Sequence, residues 1–194
     1  MLDEGLVCHV GFVSEGQPFV VPSAYARLGD RLIIHGSAAS RMLKALASGA
    51  PACVTVTLLD GLVLARSSFH HSMNYRSVVV VGKAEEIVLP AEKRRALDAI
   101  VEHIVPGRTA EVRPPSDKEL RGTRVVALPI DEASAKLRSG PPKDDEEDYA
   151  LDCWAGELPL VQRTAPLVPD PRLGKGTLPS AVVTGWRRPA GKRG

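Results

Sequence analysis

The sequence predicts a mainly β fold, an antiparallel β-barrel with a few helices covering its ends. Three observations predict it. Six or so β-branched, apolar runs fall within the first 130 residues, where Gly, Pro, Asp and Ser punctuate them. Only one short and one longer segment there switch to helical spacing. The connections between the first three runs are tight, which makes them an antiparallel meander rather than a crossover unit.

The first strand is Leu6–Val13, and Ser14-Glu15-Gly16-Gln17-Pro18 is a turn. The second is Phe19–Arg27, where Pro22 marks an edge or a bulge. Leu28-Gly29-Asp30 leads into the third, Arg31–Gly36. Ser37–Ala47 then reads as a helix capped by Ser37 or Ser40, with Met42, Leu43 and Leu46 on one face and a Gly49…Pro51 stop. Ala52–Leu59 is a fourth strand, which Gly61–Ala65 continues after an Asp60-Gly61 bend. Val78-Val79-Val80-Val81 reads as a fully buried strand. Pro90–Ile104 is the strongest helix, with Pro90 in its first turn and Leu97, Ile100, Val101 and Ile104 as its stripe. A short helix begins near Pro114, and Thr123–Ile130 is the last strand.

After Asp131 the composition shifts. Ser139–Asp148 is Pro/Gly-rich and then acidic, an exposed loop. Residues 149–180 carry Trp154 and several prolines with little periodicity, and Gly185–Gly194 is a basic, mobile tail. The chain divides into a domain over 1–165, extended from about 131, and a tail over 166–194.

Composition excludes several function classes. With 25 basic and 23 acidic residues the net charge is +2, and no aromatic/basic repeat suggests nucleic acid. Cys8, Cys53 and Cys153 form no C-x-x-C pair, which points to a reducing compartment. No apolar run approaches roughly 18 residues, and the start lacks a signal-peptide pattern. The expectation is a soluble cytoplasmic protein.

The richest polar stretch is Arg66–Ser77 (RSSFHHSMNYRS), read as a loop held beside the rigid valine strand. His70 and His71 are adjacent, so on a strand they face opposite ways, and no carboxylate or Cys stands at ligand spacing. No metal site is therefore assigned. One of the pair, His71 by preference, is the candidate catalytic group, placed to donate to a carbonyl or relay a proton; the alternative is a loop hydrogen bond. Arg66 and Arg76 flank the stretch: either binds an anionic substrate or the flavin, or pairs across strands with Glu85 or Glu86. Cys8 and Cys53 read as inert core thiols.

Three segments carry a resemblance: Val21-Pro22-Ser23-Ala24-Tyr25, then Leu32–Lys44 (LIIHGSAASRMLK), then Asn74–Ala84 (NYRSVVVVGKA). In order and spacing they resemble the flavin-binding split-barrel proteins related to pyridoxamine 5′-phosphate oxidase, in the flavin-nucleotide-binding branch, which is similar to the nitroimidazole-resistance proteins. The resemblance covers about residues 1–165. It implies a six-stranded antiparallel FMN-binding split β-barrel with flanking helices, and a homodimer with the flavin between subunits. It places Pro22, Ser23 and Tyr25 along the flavin ring. His35 and Gly36 stand above the phosphate, and Ser40 and Arg41 hold it. Ser77 faces the flavin, and Trp154 reaches the partner's flavin. Where the oxidase has Ser-Arg-Lys this chain has Met42 in third place, and Lys44 stands in for the missing charge. The oxidase's C-terminal Arg/His motif does not follow Trp154, which argues against pyridoxamine phosphate as substrate. Relatives carry a helix before the first strand, so the true start lies upstream or that helix is dispensable.

A helix N-terminus with free N–H groups and an Arg in its first turn suits a phosphate on physical grounds as well; the bland alternative is a plain Ser cap and a solvated Arg. The function expected is an FMN-dependent oxidoreductase acting on a small molecule, with NAD(P)H or another donor. FAD and haem are the alternative cofactors. A flavin carrier or sensor without turnover is the alternative role.

Overall fold

The computed structural model describes residues 1–187. The basic stretch after Arg187 lies outside the described residues. Strand β1 (Val7–Ser14) turns through Glu15 and Gly16 into β2 (Gln17–Leu28). Both turn residues have positive φ, 52° and 75°, as a two-residue hairpin of matching twist requires. Counting from the closing pair Ser14↔Gln17, the backbone nitrogens of Pro18 and Pro22 point away from β1. Strand β3 (Arg31–Ser37) pairs only with Tyr25–Leu28. That half of β2 is therefore an edge, and neither proline removes a ladder hydrogen bond.

Helix α1 (Arg41–Ala47) follows, and its Ser40 cap accepts the Leu43 N–H at 3.4 Å. The next strand is one element, not two: β4 (Pro51–Leu64), with a bulge between Leu59 and Gly61 that absorbs the expected bend. A 3-10 turn at Ser68–His70 leads to β5 (Ser72–Lys83), so the second half of the polar stretch is strand rather than loop. Strand β6 (Glu85–Glu86), helix α2 (Pro90–Ile104), helix α3 (Asp117–Gly122) and β7 (Thr123–Pro129) complete the body.

The antiparallel sheet runs β6-β7-β3-β2-β1-β4-β5. Strand β5 passes through Ala84 directly into β6, and β6 pairs with β7. The sheet thus closes on itself as a split barrel of six strands, counting β5 and β6 as one. Two further strands were not foreseen: β8 (Glu132–Arg138), added beside β5, and β9 (Gly156–Pro159), added beside β4. Both lie after Asp131, where the sequence pattern marks no strand. Every residue of β8 but Arg138 is exposed, so no period-2 apolar signal marks it.

Two cores hold the body together. Inside the barrel, Cys8, Val10, Tyr25, Leu32, Ile34, Val54, Val56, Val80 and Leu128 meet Met42, Leu43 and Leu46 of α1. Outside it, α2 covers Ala26, Ile33, Val125 and Ala127 with Ala96 and Ile100. The valine run is buried only on alternate residues. Val78 and Val80 face the core, whereas Val79 is half-buried and Val81 exposed, because α2 covers only the β2–β3–β7 part of the outer face. No helix among the described residues is long and apolar enough to cross a membrane.

Candidate functional site

The predicted site residues fall into two clusters and one face. The first cluster lies where the β1–β2 turn meets α1. Val13, Ser14, Glu15, Ala39, Arg41, Lys44, Ser48 and Ala50 line a groove there. The Arg41 guanidinium lies 5.1 Å over the Phe19 ring, which leaves its N–H edge for an anion in the groove. Arg41 and Lys44 are exposed while Met42 between them is buried. The third position therefore belongs to the core, and the second cation comes three residues after Arg41.

The second cluster lies at the far end of β4 and β5. Arg66 donates to Asp144 from its backbone at 2.9 Å and from its guanidinium at 3.0 Å, and the same guanidinium stacks 4.8 Å over Tyr149. The Asp144 side chain is fully buried although its segment reads as an exposed acidic loop. Burial opposes its ionisation, but the N–H groups of Arg66 and Ser67 and the Arg66 guanidinium prevail and hold it below the ordinary carboxylate range. His70 Nε2 stands 3.3 Å from Asp145, and Asp148 lies close by. His71 Nδ1 stands 2.9 Å from the Ser67 carbonyl. A carbonyl can only accept, so Nδ1 carries a proton in this contact, and the side chain is otherwise exposed. Phe69, Met73, Tyr149, Leu151 and Trp154 are exposed at this end, and a Cβ on Gly156 would stand 3.0 Å from the Trp154 ring.

From Pro51 to Val63 the strand separates the clusters by roughly 40 Å. One chain therefore does not bring Arg41 and His71 to the same ligand. Between them lies the bare outer face of the sheet. Pro22 is on it, beside His9, Thr55 and Val79 by register, and Ser77 is on it beside Thr57 and Lys136.

Four of the expected ring or phosphate residues, Ser23, Tyr25, His35 and Gly36, do not line the groove. Tyr25 points into the barrel, fully buried, and its hydroxyl donates to the Leu2 carbonyl at 2.6 Å; Ser23 shares that inward side, paired with Cys8. His35 pairs with Val125, a residue of the α2 core. Its ring therefore lies on the opposite side of β3 from α1 and the groove. It is left with a buried, unpartnered Nδ1, and burial lowers its pKa. Gly36 faces inward, and a Cβ there would stand 3.2 Å from Leu43. Arg76 is held by Glu4 and by Asp60, at 2.8 Å, rather than by Glu85 or Glu86. These two carboxylates raise its pKa further.

Sequence reasoning missed Asp144, Asp145 and Tyr149. Their contacts span 75 residues or more, as in the His70–Asp145 pair, and only the folding of the 140s back onto the Arg66 loop creates them.

Residues 1–137 match the family described as pyridoxamine 5′-phosphate oxidase. Among solved structures, an FAD and haem binding protein from Mycobacterium smegmatis is 44% identical with a TM-score of 0.91, over 95% of this chain and 90% of that one. The flavocytochrome Anf3 from Azotobacter vinelandii is 44% identical with a TM-score of 0.90, over 96% and 86%. A 5-nitroimidazole antibiotic resistance protein from Bacteroides thetaiotaomicron is 30% identical with a TM-score of 0.57, over 69% and 77%. No curated protein matches the chain.

Proposed function

The chain belongs to the pyridoxamine 5′-phosphate oxidase family, and from that premise we propose that it is a redox protein that binds a flavin and a haem. The observation that carries this reading is the likeness, nearly end to end, to an FAD and haem binding protein and to a flavocytochrome. The two clusters suit the two groups. Arg41 and Lys44, exposed in one groove, are the donors a flavin phosphate needs. Those relatives favour FAD over FMN. His71, exposed and with Nδ1 tied to a carbonyl, would be the residue to hold a haem iron through its other ring nitrogen. The exposed aromatic and aliphatic side chains around it suit the faces of a macrocycle.

The bound groups would supply electron transfer, with the protein positioning them and setting their electrostatics. Arg41 and Lys44 would fix the phosphate end of the flavin, and Ser67 would orient His71. The bare outer face favours a homodimer, and a second copy seated on it would offer the flavin a cleft between subunits. NADH or NADPH is the electron donor this reading tests first, with an oxidisable or reducible small molecule as the partner substrate.

The test is an absorbance spectrum of the purified protein after reconstitution with FAD and haemin and desalting. The reading expects a flavin band that Arg41→Ala weakens and a Soret band that His71→Ala abolishes, each variant sparing the other band. A folded protein that retains neither band would overturn it.

A further inference from the structure

We propose that residues 160–179 form an arm that closes around a second copy of this chain. The inference rests on the two-copy part of the reading above, and goes beyond it by naming the segment that locks the copies together.

The first observation is surface. A compact monomer of 20.7 kDa exposes about 8,900 Å². This chain exposes 12766 Å², roughly 3,900 Å² more than that relation gives. Obligate two-copy interfaces bury about 2,000–5,000 Å² over both partners, roughly 1,000–2,500 Å² from each, so the surplus exceeds what one such interface removes from a chain and leaves room for a second copy to cover both a sheet face and an arm.

The second observation is where apolar surface is left. The arm is exposed at every residue, and Val168 and Leu178 are 91% and 83% accessible. It is nevertheless not a free tail. The Leu160 N–H donates to Asp60 at 2.9 Å as the arm leaves β9. Thr164 and Leu167 pass over the end of α2 beside Val105, Val183 and Trp186. Beyond the arm, a short helix, α4 (Ala181–Thr184), returns to the same place: Ser180 donates to Glu111 at 2.8 Å, and Trp186 Nε1 to the Ile104 carbonyl at 2.7 Å. Internal turns, Leu173 onto Asp170 and Thr177 onto Gly174, give the loop a shape. An apolar loop held at both ends, with every residue between left exposed, is an embracing element.

The third observation is continuity. α2 covers the outer face at Ala26 and Ile33. The same face continues uncovered over Pro22 and Val20 of β2, Val7 of β1, Cys53 of β4 and Val81 of β5, all exposed. His103, near the end of α2, stands 2.6 Å from the Gly5 carbonyl, just before β1. The arm therefore rises at the border between the covered and bare halves. A copy seated on the bare half meets the arm at once, and a two-fold axis gives each copy the other's arm.

Hydrogen exchange on the full-length protein reads this directly. Between dilute and concentrated samples, amides of 160–179 should slow at least tenfold as dimer forms, in step with those around Val20. Val168→Asp with Leu178→Asp should raise the dissociation constant at least tenfold by sedimentation, with circular dichroism unchanged; Val20→Asp should do the same. An arm whose exchange ignores concentration, or an arm variant that dimerises as tightly as its parent, overturns the arm proposal while a Val20-dependent dimer leaves the dimer standing. A parent that stays monomeric at all concentrations overturns both.

Discussion

Arg66 and Asp144, 78 residues apart, are joined twice, by the backbone N–H and by the guanidinium of the arginine. The carboxylate is fully buried, so the pair fastens the acidic segment to the loop that carries His70 and His71. Asp144→Asn keeps the shape and removes the charge that makes these bonds strong. The variant should exchange Ser67–His71 amides faster and, if the two groups bind as proposed, lose haem on desalting while flavin is retained. Acid should act in the same way. A carboxyl held below its ordinary value contributes its stability above about pH 4 and loses it as pH falls through its folded pKa. Equal haem retention by parent and variant would separate the tie from the histidine loop.

Burial lowers the pKa of His35, and its Nδ1 has no partner among the described residues. In the unfolded chain His35 takes its proton near pH 6.5; the folded protein resists until lower pH. Its contribution is therefore complete above about pH 6.5 and is lost as pH falls from there toward the folded pKa. Thermal unfolding at pH 7.5 and pH 5.5 should show a larger loss for the parent than for His35→Leu. An identical pH dependence in the two proteins would contradict this account.

The barrel was legible because its strands carry local signals: the Glu15-Gly16 turn, the β-branched runs, the Ser40 cap and Pro90 at the head of α2. Side-chain direction was less legible. Pro22, Ser23 and Tyr25 form one motif, yet Pro22 faces out while Ser23 and Tyr25 face the barrel, and only the register onto β1 fixes which is which. The side of β3 on which His35 lies is hidden for the same reason, since only its pairing with Val125 fixes it. β8 escaped notice because its neighbour β5, not its own apolar pattern, makes it a strand. The Asp144 and Tyr149 contacts needed the tertiary fold itself.

The three cysteines should separate by reactivity. Burial pushes the Cys8 thiol up to about 12, so it is protonated and shielded at neutral pH. Cys53 and Cys153 are exposed, but Cys53 lies on the bare sheet face. A maleimide titration of dilute native protein should find two fast thiols. At high concentration the Cys53 reaction should slow as a second copy covers that face, leaving Cys153 alone. Fast labelling of Cys8, identified by peptide mapping, would contradict its place in the core.

Tyr25 tests the inward face of β2. Its hydroxyl donates to the Leu2 carbonyl, and its ring lies 5.0 Å from that of His103. Tyr25→Phe keeps the ring and removes one hydrogen bond from a partly buried acceptor. The expected cost is about 1–2 kcal/mol in denaturant unfolding, with flavin affinity within twofold of the parent. A large loss of flavin with little loss of stability would return Tyr25 to the cofactor site.

Arg41 and Lys44 should contribute unequally to the anion groove. Arg41 is held over Phe19, and its fork matches two phosphate oxygens. Lys44 is a flexible point charge one turn further on, exposed beside Ser48. A charge-assisted contact contributes about 1.5–3 kcal/mol, so Arg41→Ala should weaken flavin binding roughly 10- to 150-fold. Lys44→Ala should cost less, and its loss should shrink as ionic strength rises and screens an exposed charge. Arg41→Lys should recover only part of the affinity, since it restores charge without the fork. Riboflavin, which lacks the phosphate, supplies the control: its affinity should be the same in the parent and in all three variants. If riboflavin binding falls along with that of FMN and FAD, the groove is shaping the ring site, and the phosphate assignment fails.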